Sequence, residues 1–236
     1  MKQTDIINPF QPYMTLEMDG YSQINRTDYG ISHFYEFTIH DEKKHCIKAV
    51  PDASIDLLFN IGENKVSTYI SGTVFGVKKW ELGTQDDCFG VRFQPGQGIL
   101  PKDITMEMIV NDDIEIDGDI FGKNLTEKIA LAKTMSERID IFKKAYEDMV
   151  LGRNSLSDKE KINEYLVNRI SRTKGMITMR QLEDETNYSA CYLRRIFKSF
   201  HGISPKQFAQ YIRFQNLLMQ ADKEGVRYEQ VALDCG

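Results

Sequence analysis

The apolar residues of this chain change their period partway along, and that change restricts the folds open to it. Up to about residue 125 the apolar residues gather in short segments rich in β-branched and aromatic side chains. These are Ser32–Ile39, Ile55–Ile61, Val66–Thr73, Phe75–Trp80 and Phe89–Phe93. Turn formers separate them, at Pro51-Asp52, Gly62-Glu63-Asn64, Gly83-Thr84 and Pro95-Gly96-Gln97-Gly98. Many short strands at close spacing predict a small barrel or sandwich. Within Ser32–Ile39, Tyr35, Phe37 and Ile39 alternate with Glu36 and Thr38, which predicts a strand with one solvated face. Beyond Thr126 the spacing becomes helical. Ile129, Ile139, Phe142, Tyr146 and Met149 predict two helices, over 126–135 and 136–151, ending at Gly152. Such helices either cover the barrel or form a subunit contact. Ser157-Asp158-Lys159-Glu160 is a capping box that opens a further helix with Ile162, Tyr165, Leu166, Val167 and Ile170 on its apolar face. The fold class is therefore α+β. A β-rich domain with a helical extension is predicted over 1–152 and an all-α domain over 153–236, joined by a short linker at 153–157.

The length of 236 residues suits two such domains, each able to bury a core. No apolar run approaches the ~18 residues of a membrane span. The first ten residues mix Lys2, Asp5 and Pro9 and have no apolar signal region, so a cytoplasmic protein is expected. Cys46, Cys88, Cys191 and Cys235 have no CxxC spacing, which predicts thiols in a reducing compartment rather than a disulfide framework or zinc site. Charge is divided unevenly. Residues 1–152 hold 16 Lys and Arg against 25 Asp and Glu, whereas residues 153–236 hold 14 against 10. An acidic front and a basic back suit a protein whose second half meets phosphate, although charge asymmetry alone is a weak sign.

Residues 177–220 are the most informative. Thr178 is placed to cap a helix through Met179 and Leu182 to about Thr186. Asn187 follows, a residue that tolerates the left-handed backbone of a tight turn. Ser189 is placed to cap a second helix ending at His201-Gly202. On that helix Leu193, Ile196, Phe197 and Phe200 share one face, and Cys191, Arg194, Arg195 and Lys198 share the opposite one. An apolar back and a cationic front beginning in the first two turns suit a helix that enters the major groove. There Arg reads guanine O6 and N7, and the first-turn amides face a phosphate. A basic amphipathic helix is by itself usually just a solvated face. Close spacing to a preceding capped helix is what raises the DNA-binding reading above that. Ser204-Pro205, an N-cap followed by a first-turn proline, then opens a long helix through Phe208, Ile212, Leu217 and Leu218 to about Ala221.

The run LEDETNYSACYLRRIFKSFHGISPKQFAQYIRF, followed by YEQVALDCG, resembles the DNA-binding domain of AraC-type transcription regulators over about 155–236. That family has two helix-turn-helix units joined by one long helix. Ser189, Leu193, Arg195, Phe197, Lys198, Gly202, Ser204, Pro205, Arg213, Val231, Ala232 and Gly236 sit on its pattern. The resemblance implies double-stranded DNA as partner, RNA polymerase as a further one, and a homodimer on paired half-sites. Together with the helix faces it makes Ser189, Cys191, Arg194, Arg195, Lys198 and Ser204 the candidate DNA-binding residues. Two positions depart from the pattern. Glu183 stands where the family favours a small Ala, which predicts a side chain turned outward, and Asn187 stands where it favours Gly. The chain ends at the turn glycine of the second unit, so a truncated second unit and weak operator binding are expected. Toward the front, VPDASIDLLFNIG, ISGTVFGV and FGVRFQPGQG resemble the small cupin-like N-terminal domain of a subset of these regulators, over roughly 30–150. This implies a sensory or dimerising domain whose small-molecule effector is unspecified.

Other chemistry is weakly supported. His33, His40 and His45 lie in the β-rich region, but no HxH pair occurs, and neither a metal nor another cofactor is expected. Asp52 and Asp56 are close enough for paired-carboxylate work, although a Pro-Asp turn explains Asp52 equally well. Arg92, a charge within Val91-Arg92-Phe93, is expected to pair with an acidic residue rather than to meet an anionic ligand. No catalytic constellation is read. Two alternatives stay open, a cupin-type metal-dependent enzyme with an accessory helical tail and an interaction protein that has kept the scaffold without binding DNA.

Overall fold

The structure, a computed structural model, describes residues 8–18, 20–38, 46–63, 65–81, 87–98, 100–152 and 155–221. It is α+β. The elements run α1 (Pro12–Glu17), β1 (Ser22–Asn25), β2 (Ile31–Thr38), β3 (Cys46–Ala49), β4 (Asp56–Ile61), β5 (Val66–Ser71), β6 (Lys78–Glu81), β7 (Asp87–Phe93), α2 (Met106–Ile109) and β8 (Asp113–Ile116). Six helices follow from α3 onward: α3 (Leu125–Leu131), α4 (Met135–Leu151), α5 (Asp158–Arg172), α6 (Met179–Thr186), α7 (Ala190–His201) and α8 (Pro205–Ala221). No helix among the described residues is long and apolar enough to cross a membrane.

Six strands form one antiparallel sheet in the order β1-β2-β7-β4-β5-β8, and β3 and β6 pair separately. The two ends of the large sheet, β1 and β8, do not pair with each other among the described residues, so closure into the expected barrel is not seen. Alternation gives the sheet two different faces. Phe34, Leu57, Phe59, Ile70, Phe89 and Val91 point to one of them and form a core with α3 and α4. Phe142 of α4 stands edge-on to Phe34 and Phe59, at centroid separations of 5.9 and 6.3 Å, and stacks on Tyr146 at 5.6 Å. The two predicted helices thus turn their apolar residues Ile129, Ile139, Phe142 and Tyr146 into the sheet. Thr134 starts α4 with a capping box to Glu137.

One expectation is corrected here. β2 has no solvated face. Tyr35 and Phe37 are buried on one side, Phe34 on the other, and Glu36 is partly buried. The strand lies inside the sheet between β1 and β7, with α4 over one face and α1 beside the other.

The second core joins α5 to α8 through Leu166, Val167, Ile170, Leu182, Leu193, Phe197, Phe208 and Ile212, and it also takes in Ala53 and Val110 from the first half. The two halves meet closely. Gly96 has φ +70°, and a Cβ there would come within 2.9 Å of Val167 and 3.1 Å of Phe208. Gly202, the left-handed C-cap of α7, would with a Cβ come within 2.6 Å of Val110. Glycine is thus required at both points, for backbone shape and for space. The linker residues Arg153 and Asn154 lie outside the described residues.

Candidate nucleic-acid interface

Helix α6, a three-residue turn and helix α7 follow the sequence reading closely. Thr178 begins α6 with a capping box to Gln181. Asn187 ends it at φ 57°, which explains how a non-glycine residue serves in this turn. The Ser189 hydroxyl caps α7 by accepting the Tyr192 amide at 3.4 Å.

Along α7 the two faces separate as the spacing predicts. Leu193, Ile196, Phe197 and His201 are buried, while Cys191, Arg194, Arg195 and Lys198 are exposed and adjacent. Phe200, expected on the apolar face, is only partly buried. The Arg195 guanidinium lies over the Tyr192 ring at 5.3 Å, and Tyr192 packs against Tyr188 at 5.1 Å. This stacking narrows the orientations open to Arg195, whereas Arg194 has no such contact among the described residues. The far end of α7 is fixed. The His201 ring nitrogen Nε2 meets Asn163 Oδ1 at 2.8 Å, and Phe197 packs at a tilt against His201 at 4.3 Å and edge-on to Phe208 at 5.2 Å. Burial pushes His201 down to about 4, so its ring is neutral at physiological pH. Glu185 of α6 ties this pair of helices to α5, accepting from both Arg169 and Tyr165.

Three side chains near these helices are engaged within the fold, one of them against expectation. Glu183 does not turn outward. Its Oε1 accepts the Ala190 amide at 2.5 Å, so a carboxylate sits at the very start of α7, where a phosphate was expected to meet free amides. Ser204, a candidate contact, has its hydroxyl engaged in a capping box with Gln207 that opens α8. Arg213 donates to the Gly175 carbonyl at 3.0 Å, holding α8 to the turn after α5. The second predicted unit, Tyr228–Gly236, lies outside the described residues.

In the first half the structure brings together candidates that the sequence treated singly. Arg92 and Asp56 are cross-strand partners on β7 and β4 and form a buried ion pair, with Asp52 at 3.8 Å. Burial alone would lower the Arg92 pKa, but the flanking carboxylates of Asp56 and Asp52 outweigh it and hold the guanidinium charged. Burial raises the Asp56 carboxyl and Arg92 opposes that rise. His33 sits opposite Arg92 on β2, and burial, with Arg92 beside it, pushes the imidazole down to about 3. His40 and His45 lie outside the described residues. Tyr35, expected only as an alternating strand residue, and Gln11 and Ser54, for which no role was expected, complete this cluster. Their polar groups sit among apolar neighbours, and only the folded sheet brings them together.

A family described as a domain of unknown function (DUF6597) matches residues 29–115, which run from just before β2 into β8 and exclude α3 to α8. No curated protein and no solved structure matches the chain.

Proposed function

We propose that this chain is a sequence-specific transcription regulator of the AraC type that binds double-stranded DNA. Residues 153–236 form the DNA-binding domain, and residues 1–152 form a cupin-like sensory and dimerising domain. The observation that carries the reading is the short α6–turn–α7 unit, whose second helix exposes Cys191, Arg194, Arg195 and Lys198 together over its first turns. Such a helix lies in the major groove with its N-terminal residues at the base edges and its cations against phosphate. In this reading Arg194 and Arg195 read bases and Lys198 neutralises phosphate, while Ser189 and Ser204 contribute through the helix starts they cap. A homodimer would supply paired half-sites, and RNA polymerase would be the downstream partner. The cupin-like description is supported by α1 and the β3–β6 ribbon, which share a cavity with the polar face of the large sheet.

The test is a titration on DNA selected for binding by the intact chain. Arg194→Ala and Arg195→Ala are each expected to cost about 1–3 kcal/mol at one base position. Lys198→Ala is expected to weaken all sequences alike and reduce the salt dependence. Equal affinity of the parent and the Arg194→Ala/Arg195→Ala protein would remove α7 as the reading helix.

A further inference from the structure

The turn before α7 holds an exposed ring against the helix. Asn187 turns the chain at φ 57°, and the Tyr188 amide that follows donates to the Thr186 hydroxyl oxygen at 3.3 Å. That hydroxyl donates in turn to the Leu182 carbonyl at 2.7 Å, so the turn is bonded to the body of α6. Tyr188 is 43% exposed, and its ring packs at 5.1 Å and 33° against Tyr192 in the first turn of α7.

Arg195 continues this stack. Long side chains on a helix lean toward its N-terminus, over the residues three and four positions before them. For Arg195 those are Tyr192 and Cys191, and its guanidinium lies over the Tyr192 ring at 5.3 Å. Tyr188, Tyr192 and Arg195 thus form a ladder that carries the cation toward the start of α7. Its members are exposed or half-buried, whereas α7 joins the core through Leu193 and Phe197. Arg194 is exposed on the same helix with no hydrogen bond, ion pair or ring contact among the described residues.

This difference bears on how sharply each arginine reads a base. A free arginine loses rotamer freedom when its fork is fixed on a base edge. One already held on a ring loses less, and its edge N–H groups stay open to the base. In the major groove only guanine offers that fork two acceptors, O6 and N7. A fork held in place also swings less readily to a different base pair, so the held arginine discriminates more than the free one.

We propose that Tyr192, itself held by Tyr188, is a positioning residue that aims Arg195, and that the most stringently read base of the operator is a guanine opposite Arg195. The proposal rests on the DNA-binding reading given above.

The full chain selects double-stranded DNA from a random pool, and affinities are measured at one salt concentration on the selected duplex and on duplexes changed at single base pairs. The parent should lose at least about tenfold at one guanine, as expected of a bidentate contact. Arg195→Ala should remove that preference, and Arg194→Ala should keep it. Tyr192→Leu should shrink it to less than about threefold, with the melting temperature and the affinity for unrelated DNA unchanged. Tyr192→Phe, which keeps the ring, should retain it. Tyr192→Leu added to Arg195→Ala should change nothing further. Tyr188→Ala, at an exposed turn position outside the helix, should weaken the guanine preference about threefold, and it decides the matter if Tyr192→Leu melts lower than the parent. The proposal is overturned if the guanine preference survives Tyr192→Leu, if that variant weakens every sequence alike, or if Tyr188→Ala leaves the preference whole. Equal binding by the parent and the Arg194→Ala/Arg195→Ala protein would instead remove the DNA reading itself. A preference that Arg195→Ala abolishes and Tyr192→Leu does not would leave that reading standing and this one overturned.

Discussion

Gln215 of α8 is fully buried and bonds two separate strands of backbone from the first half of the chain: its Nε2 donates to the Pro51 carbonyl at 2.9 Å, and its Oε1 accepts the Phe10 amide at 2.7 Å. Both contacted residues adjoin the polar cluster. Pro51 precedes Asp52, and Phe10 precedes Gln11, which itself bonds the Asp52 carboxylate and both backbone groups of Val50. The helix that follows the α6–α7 unit is thus bonded to the segments that border the cavity. Gln215→Leu keeps the bulk of the side chain and removes both bonds, leaving a buried carbonyl and amide unpaired at about 1–3 kcal/mol each. A fall in the urea midpoint is expected. In a cycle with Gln11→Ala the two losses should fail to add by more than about 0.5 kcal/mol, because the two side chains hold the same segments. Additive losses would show that Gln215 holds α8 without reaching the cluster.

Two buried histidines contribute to the response to acid. His33 is depressed to about 3 and His201 to about 4, both chiefly by burial. In the unfolded chain each titrates near ~6.5. Above that pH both states are neutral and the native contribution is fully present. As pH falls below it, the unfolded chain binds protons that the native protein refuses, so stability drops. Between pH 7 and 5 each histidine should remove about 2 kcal/mol. Asp56, raised by burial, titrates in the opposite sense, so the telling quantity is the difference between variant and parent. His201→Gln, which can still donate to Asn163, should lose about 2 kcal/mol less stability than the parent between pH 7 and 5, read from urea unfolding at both. An unchanged dependence would mean that His201 takes up its proton within the fold.

How much of this was legible beforehand follows from the range of the interactions. The α6–α7 unit could be read because its determinants are local. Thr178, Asn187 and Ser189 cap and turn the chain within a few residues, and the apolar period of α7 repeats on a single helix. The partners of Arg92 were legible in kind but not in identity, since only the β4–β7 register sets Asp56 opposite it. β2 was misjudged because alternation cannot show that α1 and α4 cover both faces of one strand. β1, β3 and β8 escaped notice, each being four residues long, and Asp113-Ile114-Glu115-Ile116 looks like a polar loop until β5 pairs with it. The bonds from Gln215 to Phe10 and Pro51 span 205 and 164 residues, and no local pattern announces them.

Glu183 brings the last expectation, because it stands where a DNA-reading helix would gain from having no negative charge. Its carboxylate accepts the Ala190 amide at the start of α7, beside Ser189 and the exposed Cys191. A carboxylate there stabilises the helix through its dipole by about 0.3–1 kcal/mol. It also opposes an approaching phosphate and occupies an amide that could bind one. On the proposed DNA-binding reading, stability and DNA affinity pull in opposite directions at this residue. Glu183→Gln keeps an oxygen acceptor for Ala190 and removes the charge. It should lower thermal stability slightly, by no more than about 1 kcal/mol. Affinity for double-stranded DNA should rise several-fold at low salt and by less at high salt, since the repulsion removed is screened over a Debye length of ~10 Å at 0.1 M. Titrating parent and variant on one labelled duplex at two salt concentrations separates the outcomes. A variant that binds no better than the parent at low salt would mean that phosphate does not approach the start of α7, and the helix would have to lie differently in the groove.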